Sequence, residues 1–288
     1  MKRVNKAIEL LEKDQPVYYI TTRDFTYENG MLLSKTWADI IRLDLEHGAF
    51  DMTAVGEFMK GILDGGPTAS GHLTPCILAE LPTDGTNAEV MMANAWMIKQ
   101  ILAQGVHGIL LCHAETVGAV QVLNECCRYS FNEKIDGLGK GRRGHGGQEV
   151  ASKIWGLTES EYLKKSDLWP LNPSGELLIG VKIENMRALE NVEITLTVPG
   201  LAYAEWGPGD MGMSMCHPER HDPPYPEIMT KARNLVKKIC LKNNLYFLDQ
   251  VNRDDFKSMI DEGVRICKPA NEDVAEKGRR YTNNNFTY

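Results

Sequence analysis

Leu178-Ile179-Gly180-Val181-Lys182-Ile183-Glu184 and Leu201-Ala202-Tyr203-Ala204-Glu205-Trp206-Gly207-Pro208-Gly209-Asp210 decide the fold. Each is a short apolar run that stops on a carboxylate, first Glu184 and then Asp210. The stretch between them, Asn185 to Thr197, reads as helix. Strand, helix, strand, with an acid closing each strand, is how a parallel α/β protein sets two carboxylates side by side. Adjacent strands lie about 5 Å apart, so the two acids can grip one divalent cation. Two oxygen ligands, completed by water and substrate, suit Mg²⁺ or Mn²⁺ better than zinc. The alternative is that both acids cap helices. Asp210, however, precedes Met211-Gly212-Met213, a poor helix start, and Glu184 precedes Asn185, itself a fair cap.

The same rhythm extends in both directions. Strand-like runs cover Pro16 to Thr21, Ala38 to Glu46, Pro75 to Leu81, Gly108 to His113, Leu177 to Glu184, Leu201 to Trp206, Leu245 to Val251 and Val264 to Lys268. Helical patterns fill the gaps, at 53–63, 88–104, 115–128, 187–195, 227–243 and 253–262. The gap between the first two strands is short and shows no clear helix. Eight strands alternating with helices predict a (β/α)8 TIM barrel, with a doubly wound open sheet as the alternative. In either fold ligands bind at the C-terminal ends of the strands. The whole chain, 1–288, is read as a single barrel domain with a long loop insertion at about 129–175. That insertion, between the fourth and fifth strands, is expected on the catalytic side. The polar tail, Lys277 to Tyr288, is expected to be loose or docked on a neighbouring subunit.

Composition narrows the function classes. Hydrophobic residues make up 43% of 288, enough for a large core, and the net charge is −7. With a pI near 5.6 there is no basic surplus to drive binding to nucleic acid or an anionic membrane. The start, Met1 to Lys13, reads as an amphipathic charged helix rather than a signal peptide. No run reaches the roughly 18 apolar residues of a membrane span. Seven scattered cysteines without a C-x-x-C pair suit free thiols in a reducing cytoplasm.

Several groups could carry chemistry. Asp44-Leu45-Glu46-His47 closes the second strand, and alternation points Asp44 and Glu46 to one side. A histidine beside a carboxylate is a standard general base; the plainer reading is a histidine at a strand end. Gly139-Lys140-Gly141-Arg142-Arg143-Gly144 matches G-x-G-x-x-G but lacks the strand before and the helix after that a dinucleotide site needs. It is read instead as a mobile loop holding Arg142, Arg143 and His145 over the mouth for an anionic substrate. Cys216, His217 and His221 lack a fourth zinc ligand.

Asp44-Leu45-Glu46-His47-Gly48, Arg128-Tyr129, Gly137-Leu138-Gly139, Val181-Lys182-Ile183-Glu184 and Trp206-Gly207-Pro208-Gly209-Asp210-Met211 occur in an order that resembles the HpcH/HpaI aldolase family, which includes citrate lyase β-like members. The resemblance runs from about Ile40 to Lys268. It implies a (β/α)8 barrel whose last helix is often swapped between subunits, in dimer-based homo-oligomers up to hexamers. It implies Mg²⁺, Mn²⁺ or Co²⁺ held by Glu184 and Asp210, a His47–Asp44 pair for proton transfer, and backbone amides around Gly207, Pro208 and Gly209 near the substrate carboxylate. The family chemistry is cleavage of a 4-hydroxy-2-oxo acid into a 2-oxo acid and an aldehyde through a metal-stabilised enolate.

Two positions depart from the pattern. The third strand of the family ends with an arginine that binds the 2-oxo oxygen, and here that slot holds Glu80. The usual Gln-x-Glu reads Lys182-Ile183-Glu184. An anion in place of a cation beside an anionic substrate costs several kcal/mol if uncompensated, so Arg142, Arg143 or Lys182 is expected to supply the charge. The reading is a metal-dependent carbon–carbon lyase acting on a 2-oxo acid. The alternatives are a CoA-thioester lyase or hydrolase of the citrate lyase β type, and a non-catalytic barrel subunit, which Glu80 motivates.

Overall fold

The computed structural model describes residues 3–283. Its centre is a closed ring of eight parallel strands: β1 (Val17–Thr22), β2 (Ile40–Asp44), β3 (Cys76–Asp84), β4 (Gly108–Cys112), β6 (Leu177–Ile183), β7 (Tyr203–Trp206), β8 (Tyr246–Val251) and β9 (Val264–Pro269). β4 pairs with β6 and β1 with β9, which closes the ring. A two-residue strand, β5 (Leu168–Trp169), pairs with the start of β6 outside it. The expected (β/α)8 barrel is therefore the fold, and all eight sequence-derived strands fall on ring strands. The reason is visible in burial. β4 and β6 are buried at every residue, as continuous apolar runs in a parallel sheet require.

Side chains sort into two apolar layers. One lies between strands and outer helices, with Val181, Ile183 and Trp206 among it. The other fills the barrel, with Tyr19, Ile40, Leu78, Leu110, Leu178, Tyr203, Leu248 and Ile266. The helix Lys6–Leu11 caps the N-terminal end, burying Ala7, Ile8, Leu10 and Leu11 in this inner layer. Asn5 starts that helix by accepting the backbone N–H of Ala7 and Ile8. The barrel is thus plugged at one end, and only its C-terminal end is left for a site.

Three expectations change. The gap between β1 and β2 holds a helix, Tyr27–Leu33, N-capped by Thr26. It rests on the helix Met52–Asp64 through paired glycines: a Cβ on Gly30 would lie 2.3 Å from the Phe58 carbonyl oxygen, and one on Gly61 would lie 2.1 Å from that of Tyr27. A short run broken by glycine has little intrinsic helix preference, so packing makes this helix. Met211-Gly212-Met213 also lies within a helix, Pro208–Ser214, opened by Pro208 at its first position.

The insertion at 129–175 is the third. It is not one loop, since it contains the helices Gln148–Trp155 and Glu159–Lys165 as well as β5. It also leaves from the end of the helix Val117–Cys127, not from the end of a strand. In a barrel that end lies at the N-terminal face, opposite the mouth. Arg128 at this point bonds Asp167 at 2.9 Å, next to the start of β6. The insertion therefore builds the closed face, and the expected position over the catalytic face is corrected.

The last helix, Glu272–Tyr281, packs on its own barrel, with Arg279 donating to Asp39 at 3.0 Å and Val274 and Ala275 buried. The tail beyond residue 283 lies outside the described residues.

Candidate active site

The mouth is built from strand ends. β2 delivers Asp44, Glu46 and His47; β4 delivers His113; β6 delivers Glu184; and Asp210 follows β7, in the first turn of the helix Pro208–Ser214. Ligand atoms of Glu46, His113, Glu184 and Asp210 all lie within 4.8 Å of one another. Glu184 and Asp210 are thus brought together, although Asp210 sits past the strand rather than at its end. Glu46 and His113 complete the set. Both were within reach of the sequence, because each lies at the end of a run already read as a strand. His113 adopts φ 46°, in the left-handed region, where a non-glycine residue is uncommon.

Glu184 is held in place by its neighbours. Its Oε1 accepts the backbone N–H of His113 at 2.9 Å. Its Oε2 makes no hydrogen bond and faces Lys182 Nζ at 3.0 Å. A Cβ on Gly207 would lie 2.5 Å from that same Oε2. Only glycine at 207 lets the carboxylate lie flat against the β7 turn. Burial pushes the Glu184 carboxyl up to about 7, against the pull of Lys182 and His113. Gly209 faces open space, and Pro208 supplies no N–H, so Gly209 and Asp210 carry the first backbone amides of this turn.

Beneath the mouth runs a ladder of charges inside the barrel. Lys182 Nζ lies 2.9 Å from Glu46 Oε2, 3.0 Å from Glu80 Oε1 and 3.0 Å from Glu184 Oε2. Arg42 lies 3.4 Å from Glu80 Oε2 and 3.1 Å from Glu205 Oε2, with its guanidinium over the Tyr19 ring. Burial favours a neutral Lys182, but the surrounding carboxylates, Glu184 foremost, override it and hold the ammonium well above its ordinary value. Burial pushes Glu80 up. Burial also opposes ionisation of Glu46, but Lys182 wins and draws it below the usual range. Four glutamates against two cations leave the ladder net negative when ionised, which suits a divalent ion at its top. The donor set of three carboxylates and one imidazole fits Mg²⁺ or Mn²⁺.

Glu80 therefore does not stand uncompensated in the position where the family pattern has arginine. Lys182 supplies one counter-charge, as expected, and Arg42 supplies the other, which the sequence reading missed. Arg142 and Arg143 do not. Arg142 pairs with Glu125 on the outer helix. Arg143 is 4% exposed, bonds Ser166 Oγ at 2.6 Å and Tyr162 OH at 3.1 Å, and stacks on Tyr129. Both lie at the closed face, because the insertion leaves from the end of a helix. Their expected role over the mouth is corrected to a framework role.

At the rim, His47 Nδ1 lies 3.0 Å from Asp44 Oδ1, which also accepts the His47 backbone N–H at 3.0 Å. Asp44 Oδ2 accepts from Arg23 Nε at 2.7 Å. Burial works against the Asp44 charge, but these donors override it and keep its carboxyl below the ordinary value. An ionised Asp44 accepts from Nδ1–H, so the imidazole presents Nε2 as its basic atom. Among the described residues no helix is long and apolar enough to cross a membrane, and the seven cysteines are free thiols.

The chain is thus a (β/α)8 barrel with an acidic, histidine-bearing mouth. In sequence it is similar to curated aldolases, and its fold is shared with solved structures that include HpcH/HpaI aldolase/citrate lyase family proteins, in line with the resemblance carried by the motifs. No family model matches. The 2-keto-3-deoxy-L-rhamnonate aldolase of Klebsiella pneumoniae subsp. pneumoniae is 25% identical over 146 residues, 51% of this chain and 48% of that protein. The hydroxypyruvate/pyruvate aldolase of Roseobacter denitrificans is 25% identical over 181 residues, 63% of this chain and 64% of that protein. The matches span about half to just under two thirds of these relatives' own length. An HpcH/HpaI aldolase/citrate lyase family protein from Burkholderia cenocepacia shares the fold with a TM-score of 0.71, at 19% identity over 96% of both chains.

Proposed function

We propose that this chain is an aldolase-type carbon–carbon lyase acting on a small 2-oxo acid, with a divalent cation as cofactor. One observation carries the reading: Glu46, His113, Glu184 and Asp210 converge within 4.8 Å at the barrel mouth. Those four residues would hold the ion. When bound, it supplies Lewis-acid polarisation of a carbonyl and a counter-charge for oxygen.

The chain's own residues divide the remaining work. Asp44 fixes the tautomer of His47, and Nε2 takes the proton of the 4-hydroxyl as the C3–C4 bond breaks. The electrons of that bond pass into the 2-oxo acid fragment, and a proton returned to C3 completes it while the aldehyde leaves. Lys182 faces the negative charge that collects on the 2-oxo oxygen. The amides of Gly209 and Asp210, beside Gly207 and Pro208, meet the substrate carboxylate. Glu80 acts through Lys182 rather than on substrate.

The test is exchange of pyruvate methyl protons in deuterated water, followed by proton NMR. The expected result is loss of the methyl signal with Mn²⁺ or Mg²⁺, abolished by chelator and by Glu184→Ala. Exchange that persists unchanged in Glu184→Ala refutes the assignment. Absence of both exchange and cleavage across 4-hydroxy-2-oxo acids refutes the reaction class.

A further inference from the structure

The mouth contains a cation of its own. Lys182 Nζ lies 2.9–3.0 Å from three carboxylates, with a hydrogen bond to Glu46 and ion pairs without hydrogen-bond geometry to Glu80 and Glu184. Two of the three, Glu46 and Glu184, belong to the convergent set at the mouth, whereas Glu80 is placed with Glu46 and Cys112 in a deeper group. The lysine therefore already sits on two of the four side chains that a divalent ion would use.

We propose that Lys182 is a resident counter-cation that competes with the divalent ion for Glu46 and Glu184, and that Glu80 is the seat to which it retreats. The inference rests on the metal reading given above. Three features support it. Glu184 Oε1 is committed to the His113 N–H, so an ion approaching this side chain meets Oε2, the oxygen facing Lys182. That contact is an ion pair without hydrogen-bond geometry, so it is the least directional of the bonds around Glu184. Finally, Glu80 is 1% exposed and anchored from beneath by Arg42 at its other oxygen. It stays in place whether or not Lys182 leans on it. A lysine suits such a shuttle, because its point charge rides on a flexible stem.

Two consequences follow. The ion binds more weakly than the bare acid set allows, and Glu80 acts on metal affinity through Lys182 as a positioning residue. Binding of Mn²⁺ to the intact chain, read as loss of the free-ion EPR signal, tests both. Lys182→Gln is expected to bind at least about tenfold more tightly, as follows from removing a like charge beside the site. Lys182→Met repeats this arm without an amide that could itself ligate. Glu80→Gln is expected to bind about tenfold more weakly, since the ammonium loses its retreat and stays on Glu46 and Glu184. The double variant Lys182→Gln/Glu80→Gln is the deciding arm. It should bind as tightly as Lys182→Gln alone, because Glu80 then has nothing to hold. A double variant that returns to the parent affinity overturns the proposal, since Glu80 would then contribute only its charge. Equal binding by parent and Lys182 variants overturns it while leaving the metal site standing. No Mn²⁺ binding by any variant overturns the metal reading itself.

Discussion

Lys182→Met in the absence of metal offers the most direct measure of how the inner charges are balanced. The substitution keeps an unbranched side chain one atom shorter and removes the ammonium that lies 2.9–3.0 Å from Glu46, Glu80 and Glu184. Arg42 still serves Glu80, but Glu46 and Glu184 lose their buried cation. Removing one partner of a buried ion pair costs about 3–5 kcal/mol. At roughly 2 °C per kcal/mol for a chain of this size, the melting point should fall by about 6–10 °C. The pH dependence has a definite sign. Glu184 already titrates at about 7 because of burial, above its unfolded value, so its ionised form is the costly one in the fold. The loss should be full at pH 8.5 and shrink as pH falls below 7 and the carboxyls take up protons. Millimolar Mn²⁺ should restore most of the loss, because the ion supplies the missing charge and binds the folded state. Calorimetric melts in chelator at pH 8.5 and 6.0, then in Mn²⁺, supply the comparison. A variant that melts within about 2 °C of the parent in chelator at pH 8.5 refutes the picture of ionised, lysine-balanced carboxylates.

Gly207→Ala places a Cβ against Glu184 Oε2; it should abolish tight Mn²⁺ binding in EPR titration while costing about 1–3 kcal/mol of stability in urea melts. Asp44→Asn should lower kcat about 10²–10⁴-fold by upsetting the His47 tautomer, with Mn²⁺ affinity close to the parent's. Arg143→Ala should destabilise by about 2–3 kcal/mol through its lost bonds to Ser166 and Tyr162, whereas the half-exposed Arg142→Ala should stay within about 1 kcal/mol; neither should change kcat per folded molecule. Mn²⁺ affinity should rise between pH 6 and 8, because Glu184 must lose the proton it holds up to about 7. A flat affinity profile across that range counts against Glu184 as a ligand.

The barrel was legible because its ring strands are largely buried on both faces, β4 and β6 at every residue, so apolar runs ending on polar residues mark its strands directly. Glu184 followed from that rule, and the same rule applied to Gly108 to His113 would have produced His113. Helix Tyr27–Leu33 was illegible for the opposite reason: glycine gives it little propensity, and what holds it is the close approach of Gly30 to a partner helix. Arg142 and Arg143 were misplaced by counting strands without asking whether the insertion leaves from a strand or from a helix. The inner ladder is the deepest case. Alternation along β2 places Arg42 and Asp44 on one face, and alternation along β6 does the same for Lys182 and Glu184. Which of them meet across the barrel depends on the stagger between strands. The register sets Asp44 beside Glu80 and Lys182 beside Glu205, yet the ion pairs run diagonally, Arg42 to Glu80 and Lys182 to Glu46. No single strand encodes that diagonal. Glu80 looked like a charge reversal in a substrate pocket only while its strand was read alone. Across the closed ring it is one member of a balanced ladder, in which the cation stands on β2 and β6 instead of β3. Function therefore turns on how that ladder reapportions its carboxylates when an ion arrives.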